Sequence, residues 1–454
     1  MKRNRIVFFG VVFVLLVFPL TFVFPGSGKK GEAEGKAAAP ITLRIWFWGE
    51  DEAPGLKAWL DETGSMYTEK HPNITVESEI LEIDAIYPRF LAAVAAGDPP
   101  DLHMLWGGVL GLEQCWAGNV TPISDYWTEE DLSKIYSGTR GECYWNGEQW
   151  AVPLYIDPWL AAINKDVWIK SGLDPDNPPT EWDDFVRALE KIKAAGFLPW
   201  AVGMKDGYYG AWFPSLMQYQ YWDSFTELHK AVVGEQKLTD PNHSGWWYAI
   251  QELRDKGLFN SDATSITLSE GNDKFLVGNV GFVLGVQPLI AYYLKEMGTD
   301  KVGVMIAPSP GNGKLKGYLP VPAGAELYIP INAKYKKEAA DFLKFMYTRE
   351  RQNALHVQTG AFGGSNTLDP DVIEYPQNKQ IFEWMIEKPT GTYNFNYPGA
   401  FEEALYSIGQ LFMADEVDAK EAAQMYEEEA AKWRKDNPEQ VKNFKIWIDK
   451  PFQP

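Results

Sequence analysis

The stretch that decides the fold is residues 148–169, EQWAVPLYIDPWLAAINKDVWI. Apolar and β-prone residues dominate it, and this pattern predicts one long buried strand. Asp157 lies in the middle of the apolar run, between Tyr155 and Trp159. A carboxylate is costly to bury unless something hydrogen-bonds to it. Asp157 is therefore either a structural residue that turns the chain before Pro158, or a residue facing a cleft between two lobes that the strand joins.

Upstream of this stretch, strands and helices alternate. Residues 41–48 alternate in polarity, as a strand does, and 73–80 and 101–106 read as two further strands. Helical patterns lie between them, and the second helix is stopped by the sequence GDPP at 97–100. This order predicts an α/β unit with a parallel sheet. Ligands gather at the carboxyl ends of such strands, here near Trp48 and Trp106.

The length and the N-terminus indicate an exported protein with more than one lobe. The chain has 454 residues, which exceeds one ordinary hydrophobic core. Basic residues followed by an apolar run predict a signal peptide or an uncleaved anchor over residues 1–25. A segment rich in Gly, Ala, Lys and Glu predicts a flexible tether over 26–40. We therefore expect the protein in the periplasm or at the outer face of the cell membrane.

Charge and cysteine content exclude several classes of partner. The formal net charge of −20 argues against binding to nucleic acid. Cys115 and Cys143 are the only cysteines, and an oxidising compartment would allow them either to pair or to stay free. The five histidines are scattered without ligand spacing, so we expect no metal and no cofactor.

No sequence motif requires catalysis. A nucleophile elbow, a phosphate loop and a dinucleotide glycine fingerprint are all missing from the sequence. Glu50, Asp51, Asp157 and Glu326 could supply the carboxylate pair of a glycosidase, but 62 acidic residues make such a pair easy to find by chance. We therefore expect a binding protein rather than an enzyme.

Aromatic residues are the positive signal, since the chain contains 19 tryptophans. Most tryptophans fill cores, but five fall at strand ends or beside turns, where clefts open: Trp46, Trp48, Trp106, Trp145 and Trp159. A sugar offers C–H patches to an aromatic face and hydroxyl groups to carboxylates and amides. Rings combined with a few acids would also suit a cationic amine.

Several motifs together resemble one family, the sugar-binding receptors of bacterial ABC importers (extracellular solute-binding protein family 1). They are AAVAAGDPPDLHMLW at 92–106, NKD at 164–166, PTEW at 179–182, the segment 275–285 and EAADFLKF at 338–345. Each motif alone is weak, but all five occur in the family's order and spacing. The resemblance implies an α/β fold of two lobes, the type II periplasmic-binding-protein arrangement, with hinge crossovers and an interlobe cleft.

The resemblance also implies lobe boundaries. The N-terminal lobe would contain residues 41–155 and 301–352, and the C-terminal lobe residues 156–300 and 353–454. The lobes would close on a sugar and present it to the transmembrane subunits of an ABC permease. We expect the protein to act as a monomer that meets the membrane only through its N-terminal segment.

Site residues follow from the same resemblance. Trp46 and Glu50 take the place of cleft residues after the first strand, and Trp106 stands where the family has a tryptophan in the sugar site. Asp157 aligns with an acid that hydrogen-bonds sugar hydroxyls. Gln287 stands where the maltose-binding members have a stacking tryptophan, which argues against maltose as the ligand. The full predicted set is Trp46, Trp48, Glu50, Trp106, Trp145, Asp157, Trp159, Asp206, Tyr208, Tyr209, Trp212, Gln287, Glu326, Phe362 and Tyr397.

The resulting hypothesis is a receptor for a neutral mono- or oligosaccharide. Three alternatives remain at this level: a receptor for a cationic amine or peptide that uses the same rings and acids, a glycoside hydrolase, and a membrane-tethered structural protein without a ligand.

Overall fold

The computed structural model describes residues 39–393 and 395–452. The predicted signal peptide or anchor and nearly all of the predicted tether lie outside these residues. None of the helices in the described part of the chain is both long enough and apolar enough for a membrane crossing.

The elements follow one another in a mixed α/β order. The strands are β1 (Ile41–Phe47), β2 (Ile74–Ile80), β3 (Leu102–Leu105), β4 (Val120–Thr121), β5 (Tyr144–Trp145), β6 (Glu148–Gln149), β7 (Ala151–Ile156), β8 (Trp159–Asn164), β9 (Leu198–Trp200), β10 (Val280–Val286), β11 (Val302–Met305), β12 (Leu319–Pro320), β13 (Ala323–Pro330), β14 (Phe362–Gly363) and β15 (Pro389–Thr390). The helices are α1 (Leu56–Lys70), α2 (Ile86–Ala96), α3 (Val109–Trp116), α4 (Glu129–Leu132), α5 (Ser137–Arg140), α6 (Lys165–Lys170), α7 (Trp182–Ala194), α8 (Tyr209–Met217), α9 (Thr226–Val233), α10 (Pro241–Asp255), α11 (Leu268–Leu276), α12 (Gln287–Met297), α13 (Lys336–Met346), α14 (Arg349–Thr359), α15 (Pro376–Glu387), α16 (Gly399–Met413), α17 (Ala419–Asp436) and α18 (Pro438–Asp449).

Two sheets organise the chain. The larger sheet has seven strands in the order β14-β7-β13-β3-β1-β2, with β4 paired to β13. Within it β1 is parallel to β2 and β3, which confirms the predicted α/β unit. The smaller sheet has the order β11-β8-β10-β9. β12 pairs with β15, and β5 pairs with β6, as separate two-stranded sheets.

The deciding stretch crosses from one sheet to the other. β7 ends at Ile156 in the larger sheet, and β8 begins at Trp159 in the smaller one. The prediction of one continuous strand is therefore wrong: Asp157 and Pro158 separate two strands. Pro158 has no N–H, so its nitrogen forms no ladder hydrogen bond. The Asp157 N–H donates instead to Pro322 O at 2.9 Å.

Strand pairing departs from the predicted lobe boundaries at two short segments. β11 pairs antiparallel with β8, so residues 302–305 belong with the smaller sheet although the prediction assigned them to the first lobe. β14 pairs antiparallel with β7, so Phe362–Gly363 belong with the larger sheet rather than with the second lobe. Segments that return to a sheet after a long excursion carry no local mark of which sheet they join.

Local signals set several of the turns. Asn146 and Gly147 both have positive φ angles, 53° and 93°, which the hairpin between β5 and β6 requires and which this residue pair adopts readily. Gly97 ends α2 in the left-handed conformation, φ 74°. Thr267 and Glu270 form a capping box that begins α11.

Tryptophans divide between the core and the ends of strands. Six are fully buried: Trp59, Trp168, Trp200, Trp222, Trp246 and Trp247. Trp168 exemplifies them, since its indole N–H donates to Gly281 O at 2.8 Å. The partly exposed tryptophans at strand ends are therefore the ones available to a ligand.

Candidate functional site

Three strands of the larger sheet end at the same edge. β13 runs antiparallel to both β3 and β7, so β7 runs in the same direction as β3 and β1. Trp48, Trp106 and Asp157 each follow the carboxyl end of one of these strands. Their side chains therefore project where open α/β sheets bind ligands.

Four aromatic rings at this edge form a continuous surface, which we call the aromatic wall: Trp48, Tyr87, Trp106 and Phe395. The Trp106 ring is central, with its centroid 5.8 Å from that of Trp48. It is stacked with Tyr87 at 5.9 Å and with Phe395 at 6.3 Å. All four residues are partly exposed, so the wall presents ring faces and edges to an incoming molecule.

Four carboxyl groups lie close to one another near the same sheet edge, and we call them the carboxyl floor: Glu52, Glu142, Asp157 and Glu326. Tyr155 donates its hydroxyl hydrogen to Glu52 Oε2 at 2.8 Å. Burial raises the pKa of Asp157, and the neighbouring carboxylates of Glu52 and Glu142 raise it further. Within the described residues no donor lies in hydrogen-bonding distance of Asp157 Oδ1, although Asp157 is 5% exposed. A buried acceptor without a donor is the strongest sign of a missing partner at this edge.

Glu142 and Glu326 are buried as well. Glu142 accepts hydrogen bonds from the Ala323 N–H at 3.0 Å and from Asn396 Nδ2 at 3.3 Å. Burial nevertheless raises its pKa to about 8. Burial also raises the pKa of Glu326, whose Oε2 atom has no hydrogen-bond partner in the described part of the chain. A Cβ on Gly107 would lie 1.6 Å from Glu326 Oε1, so only glycine permits this approach.

A second group of rings stands on elements around the smaller sheet, and we call it the second-lobe face: Trp159, Tyr208, Trp212 and Tyr406. The Trp159 and Trp212 rings meet edge to face at 4.9 Å. Tyr208, just before α8, meets Tyr406 of α16 edge to face at 5.3 Å. The face therefore consists of two T-shaped ring pairs joined through the first turn of α8.

Electrostatic contacts connect the second-lobe face to the aromatic wall. Burial raises the pKa of Tyr208, and Asp206, Asp84 and Glu402 raise it further. Burial and then Glu326 raise the pKa of Tyr87, with smaller contributions that include Glu402. Asp84 precedes α2 beside the larger sheet, whereas Glu402 lies on α16. Side chains of the two faces are thus within electrostatic reach of one another.

The structure gives three predicted site residues other contacts. Both carboxylate oxygens of Glu50 accept backbone N–H bonds, from Gly55 at 2.8 Å and from Lys57 at 2.7 Å, so this acid caps the start of α1. Trp46 lies in β1, two residues before Trp48, and the central carbon of the Arg89 guanidinium is 4.1 Å from the centroid of its ring. The Trp145 N–H donates to the backbone of the C-terminal helix α18, at Asn443 O, 3.0 Å away.

Five further predicted residues are held by the fold around them. Gln287 is buried and donates to Gly360 O at 2.8 Å. Phe362 is buried against the His356 ring at 5.2 Å. Tyr209 is buried, with its hydroxyl 3.4 Å from Ala201 O. Asp206 accepts from the Leu268 N–H at the start of α11, 2.9 Å away. Tyr397 is buried with its ring 5.2 Å from that of Tyr393.

The two cysteines are free and buried, so the possible disulfide is not present. The Cys143 thiol lies 3.7 Å from Glu326 Oε1 and 3.6 Å from the Tyr328 hydroxyl. The Cys115 thiol donates to Gly111 O, one turn earlier in α3, at 3.6 Å. Within the described residues no group of His, Cys, Asp or Glu side chains could hold a metal ion.

Sequence reasoning missed several residues of this edge. Glu52 lies in the polar loop after β1, but nothing in the loop's sequence distinguishes it from Glu50. Tyr155 belongs to the deciding stretch, and its spacing of two residues from Asp157 puts both side chains on one face of the strand. Tyr87, Phe395 and Tyr406 come from helices and a loop whose approach to the edge is tertiary.

Comparison with known proteins identifies the fold's family. The model of the bacterial extracellular solute-binding protein family matches residues 49–353. The chain belongs to this family. It is therefore a solute-binding protein of the ABC-transporter type with the two-lobe fold that such receptors share, and the predicted resemblance is confirmed.

Relatives of this solute-binding protein differ in the ligand that their names state. The sn-glycerol-3-phosphate-binding periplasmic protein UgpB of Escherichia coli (strain K12) is 26% identical over 349 residues, which cover 72% of this chain and 75% of that protein. The uncharacterized ABC transporter extracellular-binding protein PH1214 of Pyrococcus horikoshii is 24% identical over 393 residues, which cover 82% of this chain and 83% of that protein. A solved chitin oligosaccharide binding protein superposes with a TM-score of 0.75 at 20% identity, over 87% of this chain and 98% of that one. The structural likeness establishes the shared fold.

Proposed function

We propose that this solute-binding protein captures a neutral mono- or oligosaccharide between its two lobes and delivers it to the transmembrane subunits of an ABC permease, without catalysing a reaction. One observation carries the proposal. The unpartnered oxygen of Asp157 lies at the same sheet edge as the adjacent rings of Trp106 and Trp48. A carboxylate that lacks a donor beside flat apolar faces is the pairing that a pyranose ring complements with its hydroxyls and its C–H patches.

Lobe closure follows from the position of the site. A ligand bound to the aromatic wall alone would leave its other side in water. Contact with the second-lobe face as well is available only when the two lobes approach each other, so the ligand stabilises the closed form by its differential affinity. Export to the periplasm or the outer cell surface, by the predicted N-terminal signal, is part of the same proposal.

A second candidate, a receptor for a cationic amine or peptide, is favoured by one observation. The carboxyl floor has no Lys, Arg or His in an ion pair with any of its members in the described part of the chain. A protonated amine would neutralise it and would also stack on the rings.

Native mass spectrometry of the protein as purified tests the proposal, because a ligand held between closed lobes is retained during purification. We expect a bound mass that matches one or more hexose, pentose or N-acetylhexosamine units, followed by calorimetric binding of that compound. A bound polyamine or basic peptide would establish the second candidate instead. Release of new reducing ends from an oligosaccharide would show an enzyme.

A further inference from the structure

The carboxyl floor gathers four acidic side chains without a compensating cation in an ion pair with any of them in the described residues. Glu52 comes from the loop before α1, Glu142 from the turn before β5, Asp157 from the link after β7 and Glu326 from β13. The basic residues of the nearest elements are engaged elsewhere: Lys57 pairs with Asp61, and Arg89 pairs with Glu79 at 2.6 Å. Four elements thus place acidic side chains close together, and no basic side chain in the described residues forms an ion pair with any of them.

Two atoms of the floor still need a partner. Asp157 Oδ1 and Glu326 Oε2 have no hydrogen-bond donor in the described residues, and the two residues are 5% and 0% exposed. Asp157 begins the link to the smaller sheet and is 5% exposed, whereas Glu326 is fully buried and packed against Gly107. Glu52 is partly exposed and is the member of the floor most open to a guest.

We infer that Glu52 and Asp157 form a selectivity element that admits a hydroxyl-bearing guest without negative charge and rejects phosphorylated or carboxylated guests. This inference rests on the proposed function, since it specifies which members of the sugar and polyol class can enter the same site. It also separates this chain from its relative named for sn-glycerol-3-phosphate, whose ligand is anionic.

The physical basis is a match of donors and acceptors. The two carboxyl groups repel each other when both are ionised, so they favour sharing a proton. A hydroxyl group can donate to a carboxylate and accept from a carboxylic acid, and it therefore fits either protonation state of the pair. A phosphate dianion or a carboxylate can only accept. It must face at least one like charge or force a further proton onto the floor.

The field of the floor determines the size of the discrimination. A single like charge about 4 Å away in a partly buried site weakens binding by about 100-fold or more. Attraction by a cation elsewhere in the site would reverse this, but the described residues around the floor supply none in an ion pair with it.

A thermal-shift panel on the full chain tests the inference. The panel contains glycerol, glucose, galactose, xylose, N-acetylglucosamine and their disaccharides, each beside its phosphate ester or uronic acid. We expect at least one neutral compound to raise the melting temperature, and its anionic counterpart to bind at least about 100-fold more weakly in a calorimetric titration. An anionic member that binds as tightly as its neutral counterpart would overturn the inference and leave the receptor function intact. A panel in which no compound of either kind binds would overturn the proposed function as well.

The Glu52→Gln variant tests whether Glu52 belongs to the selectivity element. The variant keeps the size of the side chain and an acceptor for the Tyr155 hydroxyl but removes one charge, so we expect the gap between neutral and anionic counterparts to narrow by about tenfold. Glu296→Gln is the matched control, because Glu296 is exposed on α12 and the same charge is lost there; it should leave the gap unchanged. An equal gap in Glu52→Gln and wild type would remove Glu52 from the element. If Glu52→Gln fails to fold by circular dichroism, Asp157→Asn serves as the second variant, with the same expected narrowing and the same contradicting result.

Discussion

The Tyr155 hydroxyl donates a hydrogen bond to the Glu52 carboxylate at 2.8 Å, and this bond joins the end of β7 to the loop that follows β1. Asp157 lies two residues beyond Tyr155 and faces the same side of the chain. The bond therefore fixes one carboxylate beside another, at the edge where the tryptophan rings are exposed. The proposed binding and the proposed selectivity both depend on that arrangement, and so do the predictions below.

The Asp157→Ala variant tests whether the unpartnered carboxylate oxygen of Asp157 binds the ligand. Removing the carboxylate takes away the partner of a guest hydroxyl, so we expect binding of the co-purified ligand to weaken by about 1–3 kcal/mol. The melting temperature of the ligand-free protein should fall little, because Asp157 Oδ1 makes no hydrogen bond within the described residues. Isothermal titration with that ligand measures the effect, and unchanged affinity would remove Asp157 from the site.

Trp106→Ala tests the aromatic wall. The variant loses the central ring of the wall, and we expect affinity to fall by about 10-fold to 100-fold. Trp145→Ala is the matched control, since it removes a tryptophan whose N–H is bonded to α18 rather than one exposed at the sheet edge. It should lower the free energy of unfolding by about 2 kcal/mol with little change in affinity. Equal losses of affinity in both variants would contradict a role for the aromatic wall in ligand binding.

Glu50→Ala tests whether the acid nearest to β1 is structural. Its two oxygens accept the N–H groups at the start of α1, so the variant should lower the free energy of unfolding by about 0.5–2 kcal/mol. The affinity for the ligand should not change. Chemical denaturation and titration measure the two quantities, and a variant with reduced affinity at full stability would return Glu50 to the site.

The pKa of Glu142 predicts how stability depends on pH. Burial raises it from an ordinary value of 4.5 to about 8, so between these pH values the folded state binds more protons than the unfolded state. The free energy of unfolding should therefore fall as the pH rises from about 4.5 to about 8, by a few kcal/mol in order of magnitude. Burial of Glu113 and Glu402, each with a pKa raised to about 7, acts in the same direction.

Glu142→Gln should flatten this dependence, because the amide cannot ionise and still offers an oxygen to the Ala323 N–H. Denaturation at pH 5 and pH 8 in wild type, Glu142→Gln and the surface control Glu296→Gln measures the effect. The same slope in Glu142→Gln and wild type would show that Glu142 does not bind the additional proton.

Much of the larger sheet could be predicted from the sequence, because β1, β2 and β3 each carry a local pattern that ends at a turn signal. The crossing between sheets was also visible in Asp157 and its apolar surroundings. The break into two strands was not, because Pro153 lies inside β7 and a proline in this stretch therefore does not by itself mark the end of a strand.

The site was only partly predictable, for a geometric reason. Trp46 lies in β1 and Trp48 directly after its end, but a strand rises about 3.3 Å per residue, so two residues decide between the end of the strand and a position under the Arg89 guanidinium. Glu50 and Glu52 differ in the same way, one turned to the helix start and the other to Tyr155. Glu52 and Tyr155 are 103 positions apart in the sequence. Tertiary structure decides which acid of the loop contacts Tyr155, and no local sequence pattern encodes it.

The two-residue link between the sheets has a kinetic consequence. A group close to the axis of a rotation is displaced least when the bodies on either side swing, and the proposed closure would turn about links such as the one that contains Asp157, between β7 and β8. A guest oxygen seated on Asp157 can keep its partner throughout the swing, whereas contacts with Trp212 or Tyr406 form only at its end. Ligand binding should then proceed in two stages. The first contact, at Asp157, has a rate that depends on ligand concentration, and the lobe closure that follows has a rate that does not.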